Sequence, residues 1–258
     1  MTVFSETIGS GEHIVLFNGG LDTRPFLSPI RDQLKHRYQV TWLDQPGIGA
    51  TPWQNDITSV EDLVDILLPV LPQHATYIGW SFGGLVNLAL AKKYPERVKR
   101  IINLCSVPKF IETNDWPAVE KPGFQVILPD IEINGLSSFL NACIDGEFSK
   151  FTTKPQFYHT VKTFFPKDSD VDLNAVTKRI HLVDESDFRE TFKFLYCPID
   201  LILGDQDPAV PTALYEKINL LNPKANLHII EGAQHMPFAT HSDEFNQILN
   251  EILESNTA

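Results

Sequence analysis

The sequence is short of basic residues. Lysine and arginine total 21 against 33 aspartate and glutamate residues, which gives a formal net charge of −12 and a sequence pI of about 5.0. Nucleic acids and anionic membrane surfaces attract proteins through a basic face, so this balance argues against both as partners. No apolar run approaches the roughly 18 residues that a membrane-spanning helix needs.

Cysteine is also scarce, with only Cys105, Cys143 and Cys197, far apart in the chain. An odd and scattered set is typical of neither a disulfide framework nor a metal cluster, so we expect reduced thiols and no bound metal. The first twelve residues lack the basic segment and apolar run of a signal peptide. We therefore expect a cytoplasmic protein, and we also expect a monomer.

Apolar runs alternate with helical patterns at both ends of the chain. Buried strands are predicted at 13–17, 40–43, 76–78, 100–104, 199–203 and 227–230. Such alternation predicts βαβ units and an α/β fold with a mostly parallel sheet. The pattern becomes irregular after about residue 107, with many prolines and aromatic residues. We expect a core of residues 1–106 and 191–258, with a helical cap inserted at 107–190.

The segment Gly79-Trp80-Ser81-Phe82-Gly83 lies between a predicted strand and a predicted helix. A serine flanked by glycines in this order is the nucleophile-elbow pattern, which places a reactive hydroxyl on a sharp turn. The pattern alone is weak, because a glycine-rich turn can contain an incidental serine. Its position between strand and helix favours a nucleophile.

A serine nucleophile needs a base, and the base needs a carboxylate that orients it. Candidates follow the last two predicted strands, where open α/β sheets place their sites. For the acid, Asp205 and Asp207 compete, and we favour Asp207. For the base we favour His235 within the turn after the last strand, with His241 as the rival. The order serine, acid, histidine is that of α/β-hydrolases.

An oxyanion hole requires two backbone N–H groups. One is that of Phe82, directly after the nucleophile, and the other is expected in the loop after the first strand. By position it belongs to Gly20, with Gly19 and Leu21 as alternatives. Trp80, next to the nucleophile, is a candidate substrate-binding residue.

Three segments carry a resemblance to a known family: 79–86 around the elbow, Tyr94-Pro95-Glu96-Arg97-Val98, and 106–117 with its Asp-Trp-Pro end. With them the chain resembles the α/β-hydrolase superfamily over nearly its whole length. It resembles more closely the pimeloyl-[acyl-carrier protein] methyl ester esterases of biotin synthesis. Relatives usually carry His-Gly where this chain has Asn18-Gly19. Because the oxyanion hole uses backbone groups, we expect it to survive this difference.

The resemblance implies hydrolysis of a methyl ester at the end of a pimeloyl chain held on acyl carrier protein. It implies a serine carboxylesterase that works through an acyl-enzyme, without a cofactor. A general short-chain esterase, a lactonase or a carbon–carbon bond hydrolase are alternatives on the same fold. A ligand-binding protein without turnover is the alternative from another class.

The predicted cap contains a lysine-rich stretch without acidic residues, from Phe148 to Lys167. Lys150, Lys154 and Lys162 are candidate docking residues for an acidic carrier protein. The alternative is an ordinary solvated helical face, which is the usual explanation of a charge run.

Overall fold

A computed structural model describes residues 2–168 and 171–255 of the chain. In this described part, one sheet of seven strands has the order β1-β3-β2-β4-β5-β6-β7. Only the edge pair β1–β3 is antiparallel, and the other pairs are parallel. The strands are β1 (Ser5–Ile8), β2 (His13–Phe17), β3 (Gln39–Leu43), β4 (Ala75–Trp80), β5 (Val98–Leu104), β6 (Ile199–Gly204) and β7 (Asn226–Ile230).

The central strands are apolar because both of their faces are covered. Every residue of β4 and β6 is buried, as expected for parallel strands between two helical layers. Strand β1, at Ser5–Ile8, was not predicted from the sequence. Three of its four residues are exposed at the sheet edge, so it has no run of buried apolar residues to mark it.

Helices cover the sheet from both sides and pack into two apolar clusters. The helices outside the stretch between β5 and β6 are α1 (Ser28–Leu34), α2 (Val60–Leu67), α3 (Phe82–Lys93), α9 (Leu214–Leu221), α10 (Pro237–Thr240) and α11 (Ser242–Glu254). Ser59 caps α2, and the Asp62 carboxylate closes the capping box. No helix within 2–168 or 171–255 combines the length and the apolar character needed to cross a bilayer.

Helix α3 follows the elbow directly and lies deep in the molecule. Ten of its residues, from Phe82 to Ala91, are buried. The buried side chain of Asn87 donates from its amide NH₂ group to the Asn103 side chain of β5 at 2.9 Å, so this donor has a partner inside the core. A helix that is apolar on all sides fixes the first residue after Ser81 firmly in place.

Between β5 and β6 the chain forms a series of helices outside the sheet. They are α4 (Leu128–Asn134), α5 (Leu136–Glu147), α6 (Gln156–Lys162), α7 (Leu173–Glu185) and α8 (Arg189–Lys193). The Phe188 N–H donates to the Pro108 carbonyl at 2.8 Å, which ties the two ends of this stretch together. The boundary expected at residue 190 falls inside α8, and the limits of the cap stay predictions. The predicted α/β architecture with a mostly parallel sheet is confirmed.

Candidate active site

Ser81 lies on a sharp turn between β4 and α3. Its backbone has φ 54° and ψ −119°, a left-handed conformation that costs a residue with a side chain roughly 1–3 kcal/mol. The Ser81 N–H donates to the Leu104 carbonyl at 2.9 Å and helps to hold the turn. Strand, strained turn and helix therefore follow one another as the sequence pattern predicts.

Two glycines allow the turn to be this tight. A Cβ on Gly79 would lie 2.3 Å from the carbonyl oxygen of Gly83, and a Cβ on Gly83 would lie 2.3 Å from that of Phe17. Neither approach is possible for a residue with a side chain. The elbow thus needs glycine on both sides of Ser81.

Asp207 and His235 meet at the carboxyl ends of β6 and β7. The Asp207 Oδ2 lies 2.8 Å from His235 Nδ1, and Asp207 Oδ1 accepts from the Ala209 N–H at 2.8 Å. The Asp207 side chain is completely buried, whereas the His235 side chain is 24% exposed. Because the Asp207 carboxylate accepts a hydrogen bond from Nδ1, it favours the imidazole tautomer that carries its proton on Nδ1. The other ring nitrogen, Nε2, can then accept a proton.

The rival residues have other contacts. Asp205 Oδ1 accepts from the Gly232 N–H at 2.7 Å and so links the turns that follow β6 and β7. His241 lies at the start of α11, with its Nδ1 3.0 Å from the Thr240 hydroxyl. The structure brings Asp207 to His235, and it places Asp205 and His241 in roles that local structure explains.

The surroundings of His235 favour its protonated form. Burial by itself lowers the pKa of His235, but the carboxylates of Asp207, Glu147 and Asp22 together outweigh it, with Asp207 first among them. The net result is a pKa above the ordinary 6.5. A raised pKa makes His235 a stronger base for a serine hydroxyl.

The turn that carries His235 is held from two sides. The Trp80 indole Nε1 donates to the His235 carbonyl at 2.8 Å. The Glu147 carboxylate, at the end of α5, accepts from the N–H groups of His235 at 3.2 Å and Met236 at 2.9 Å. Glu147 is buried, and burial raises its pKa. Glu147 was not predicted as a site residue, because nothing in the neighbouring sequence shows that α5 reaches a turn 88 residues away.

The oxyanion loop, defined here as residues 18–22, follows β2. The Gly19 N–H donates to Asp22 Oδ2 at 3.2 Å, so this candidate donor is already engaged. The Asn18 side chain donates to the Asp22 carbonyl and closes the loop on itself. Gly20 lies against Phe82, since a Cβ on Gly20 would be 3.8 Å from the Phe82 Cβ. The two predicted donor residues are therefore neighbours.

Two titratable residues at the oxyanion loop were also missed by sequence reasoning. Asp22 is buried, and burial raises its pKa from 3.8 to about 7. Arg179 of α7 is fully buried and donates to the carbonyls of Gly19 and Gly20. Asp22 could have been noticed as an acid inside a glycine-rich loop. No local pattern marks Arg179, because its contacts cross from the inserted helices to the sheet.

A cavity of about 360 Å³ opens beside Ser81. Gly20, Leu21, Trp80, Ser81 and His235 all line it. The stretch between β5 and β6 adds large apolar side chains to the wall: Phe124, Ile127, Phe139, Leu140, Ile144, Ile180 and Val183. The space suits an apolar chain whose polar end reaches Ser81.

Cys105 lies next to the histidine and its carboxylate. Ligand atoms of Cys105, Asp207 and His235 fall within 4.8 Å of one another. Burial raises the pKa of the Cys105 thiol well above its ordinary value, so the protonated thiol is favoured. Its Sγ lies 3.6 Å from the Gln234 carbonyl, as a weak donor. A metal ion would require the thiolate, which this environment disfavours.

Of the candidate docking lysines, Lys162 ends α6, and Lys150 and Lys154 lie in the connection between α5 and α6. Two of the three have partners within the chain. Lys162 pairs with Asp145 of α5 and lies near the Tyr158 hydroxyl. Lys154 donates to the Phe148 carbonyl. Lys150 is exposed. The stretch 148–167 contains no acidic residue, but its positive charge is partly paired, because Asp145 of the neighbouring helix α5 contacts Lys162.

Comparison with known proteins gives matches over nearly the whole chain. A family model described as alpha/beta hydrolase family matches residues 14–248. A pimeloyl-[acyl-carrier protein] methyl ester esterase of Legionella pneumophila (strain Corby) is 29% identical over 255 residues, covering 98% of this chain and 100% of the relative. One of Methylococcus capsulatus is 27% identical over 259 residues, covering 99% and 100%.

Solved structures of low sequence identity share the fold. An esterase from Exiguobacterium antarcticum superimposes with a TM-score of 0.83 at 16% identity, covering 98% of this chain and 95% of the other. An enol-lactonase from Burkholderia xenovorans gives 0.81 at 17%, covering 98% and 96%. With the family model matching 14–248, the predicted α/β-hydrolase fold is confirmed, and the chain belongs to the alpha/beta hydrolase family.

Proposed function

We propose that this protein is a serine carboxylesterase that hydrolyses the methyl ester of a pimeloyl chain carried on acyl carrier protein. The observation that carries the proposal is the 2.8 Å contact between Asp207 and His235, together with a cavity that both His235 and the strained Ser81 line. The names of the curated relatives, which match the full chain at 27–29% identity, supply the substrate.

In the first half of the reaction, Ser81 Oγ attacks the ester carbonyl carbon while His235 Nε2 takes the hydroxyl proton. Asp207 holds the imidazole in position and stabilises the imidazolium. The negative carbonyl oxygen accepts from the N–H groups of Phe82 and Gly20, each worth about 3 kcal/mol in the transition state. When the tetrahedral intermediate collapses, the carbon–oxygen bond to methanol breaks, and His235 returns its proton to the leaving oxygen.

In the second half, water takes the place of methanol. His235 removes one proton from the water as its oxygen attacks the acyl carbon, and the same two N–H groups hold the oxyanion. The bond to Ser81 Oγ then breaks, and Oγ recovers its proton from His235. The products are the free carboxylic acid and the original serine, so the cycle consumes only ester and water.

The cavity supports a substrate with a methylene chain. Its apolar wall can replace water around an acyl chain, with about 0.8 kcal/mol gained for each buried CH₂ group. The inserted helices supply much of this wall, so they set the length and shape of the chain that fits. Contacts along the acyl chain of the substrate supply binding energy that positions the ester against Ser81.

The carrier protein would dock outside the cavity, on the surface of the inserted helices. Lys150, Lys154 and Lys162 are the proposed docking residues. An acidic partner would approach an enzyme of net charge −12 only at a locally basic face. Lys150 is the strongest of the three, because Lys154 and Lys162 already have partners within the chain.

The direct test is turnover of the carrier-bound methyl ester by the purified protein. We expect release of methanol and of the free pimeloyl-carrier acid, with Ser81→Ala slower by several orders of magnitude and still folded. If the wild-type protein hydrolyses p-nitrophenyl butyrate but leaves the carrier-bound ester intact, the protein is an esterase and the proposed substrate is wrong.

The docking residues are tested by charge reversal. Lys150→Glu, alone and together with Lys154→Glu and Lys162→Glu, should lower kcat/KM for the carrier-bound ester and leave p-nitrophenyl butyrate hydrolysis unchanged. Lys224→Glu is the matched control, since Lys224 is exposed near the start of β7, away from the cavity. Equal losses on both substrates would assign the lysines to the stability of the inserted helices.

A further inference from the structure

Arg179 is a fully buried guanidinium on the wall of the cavity. Its side chain comes from α7 and lies at 0% exposure, beside the oxyanion loop. Removing such a charge from water is costly unless its donors find acceptors and its charge is compensated. The partners of Arg179 therefore show what this position requires.

Those partners are mostly carbonyl oxygens of the main chain. Nε donates to the Gly20 carbonyl at 2.6 Å, and Nη2 donates to the Gly19 carbonyl at 3.1 Å. Nη1 donates to the Pro46 carbonyl at 2.9 Å, and Nη2 also lies 3.3 Å from Gln45 Oε1. Arg179 thus donates hydrogen bonds to two consecutive peptide groups of the oxyanion loop rather than to a carboxylate.

These two peptide groups carry the remaining candidate donors of the oxyanion hole. The Gly19 carbonyl belongs to the same peptide group as the Gly20 N–H, and the Gly20 carbonyl to that of the Leu21 N–H. Both peptide bonds are trans, so each N–H points away from the carbonyl that Arg179 holds. The third candidate, the Gly19 N–H, is already bonded to Asp22.

The charge of Arg179 acts in the same direction as its hydrogen bonds. Burial lowers its pKa to about 10, which still leaves it cationic at neutral pH. A cation bonded to a carbonyl withdraws electron density from the peptide group and makes its N–H a stronger donor. The cation also lies 4.8 Å from the Phe82 ring, near the other donor. The carboxylate of Asp22 acts to raise the pKa of Arg179 and so favours its cationic form.

We propose that Arg179 is a positioning residue of the oxyanion hole, which fixes and polarises the peptide groups of Gly20 and Leu21 from the inserted helix α7. The inference rests on the proposed function, because it assumes that an oxyanion forms at Ser81. It means that the inserted helices take part in assembling the catalytic site as well as in forming the wall of the cavity.

The main test replaces Arg179 by lysine, which keeps the charge but cannot span several carbonyls with one ammonium group. We expect kcat for p-nitrophenyl butyrate to fall about 100-fold, near the loss seen when one oxyanion donor is removed, with little change in KM. The affinity for a trifluoromethyl ketone, which forms a tetrahedral adduct with serine, should weaken by a similar factor. The affinity for butyrate should not change.

Two further measurements separate positioning from general stability. Guanidinium added at sub-denaturing concentration should partly restore kcat in Arg179→Ala, because the lost group can occupy its former site. Arg189→Lys is the matched control, since Arg189 also lies between β5 and β6 but pairs with Asp187 near the surface. It should keep wild-type kcat. The inference is overturned if Arg179→Lys is folded and keeps both kcat and ketone affinity.

A crystal structure of the wild-type protein with the ketone adduct decides the matter even if every Arg179 variant fails to fold. The alkoxide oxygen should accept from the N–H of Gly20 or Leu21, with Arg179 still bonded to the carbonyls of Gly19 and Gly20. Loss of the Arg179 contacts in the adduct would overturn the inference. Absence of wild-type turnover and of any Ser81 adduct would instead overturn the proposed function itself.

Discussion

Replacing Asp207 by asparagine should leave the site in place and disable the base. Asp207 Oδ1 accepts from the Ala209 N–H at 2.8 Å, and Oδ2 faces His235 Nδ1 at 2.8 Å. In the variant, the amide oxygen keeps the bond to the Ala209 N–H, because an NH₂ group there would oppose another donor. The amide NH₂ group must then face His235 Nδ1.

The consequence is the wrong tautomer of His235. When the amide NH₂ group donates to Nδ1, this nitrogen must act as acceptor, and the imidazole proton moves to Nε2. A protonated Nε2 cannot accept the proton of Ser81. In a comparable serine–histidine–aspartate site this change lowers kcat about 10,000-fold, equivalent to about 5.5 kcal/mol of transition-state stabilisation. We expect a loss of the same order here, because the Ala209 contact fixes the amide orientation.

The assay is steady-state hydrolysis of p-nitrophenyl butyrate, with circular dichroism to verify folding. Asp205→Asn is the control, since its oxygen can still accept from the Gly232 N–H and should keep most of the activity. The reasoning is refuted if Asp207→Asn stays within about tenfold of wild-type kcat, or if Asp205→Asn proves the more damaging change.

Three other predictions concern the surroundings of the site. Because Asp207 raises the pKa of His235, kcat/KM should fall on acidification with a midpoint above pH 6.5. Activity of the folded protein that does not change with pH around this midpoint would argue against His235 as the base. Glu147→Gln leaves one oxygen for two N–H donors, so the free energy of unfolding should drop by about 1–3 kcal/mol in urea denaturation, whereas unchanged stability would contradict the role of Glu147. Gly20→Pro removes one N–H group and should lower kcat about 100-fold or more. Gly20→Ala keeps that N–H group, has space for its Cβ and should stay active. Equal activity of the two variants would place the oxyanion donor at Leu21.

The parts of the fold that sequence could predict are those with a strong local pattern. Strand β4 and helix α3 carry continuous apolar residues because both are buried on all sides, and the glycines around Ser81 mark the turn between them. Strand β1 and helix α1 were missed. The first is mostly exposed, and the second is only seven residues long, with neither a side-chain N-cap bond nor an acid in its first turn.

Residues that act through long-range contacts could not be found in this way. Glu147 reaches the turn of His235 from α5, and Arg179 reaches the oxyanion loop from α7. Their roles depend on how the inserted helices pack on the sheet, which no periodicity in the sequence encodes. The same packing sets Asp145 beside Lys162, although Asp145 precedes the acid-free stretch 148–167 in the sequence.

The central claim is that Ser81 becomes acylated during ester hydrolysis. The most direct measurement is mass spectrometry of the intact protein after treatment with a fluorophosphonate, followed by peptide mapping. We predict one adduct per chain, on the peptide that contains Ser81, with loss of esterase activity in proportion to labelling and with no adduct on Ser81→Ala. Full esterase activity in Ser81→Ala, or inactivation by an adduct on any other residue, would contradict the account.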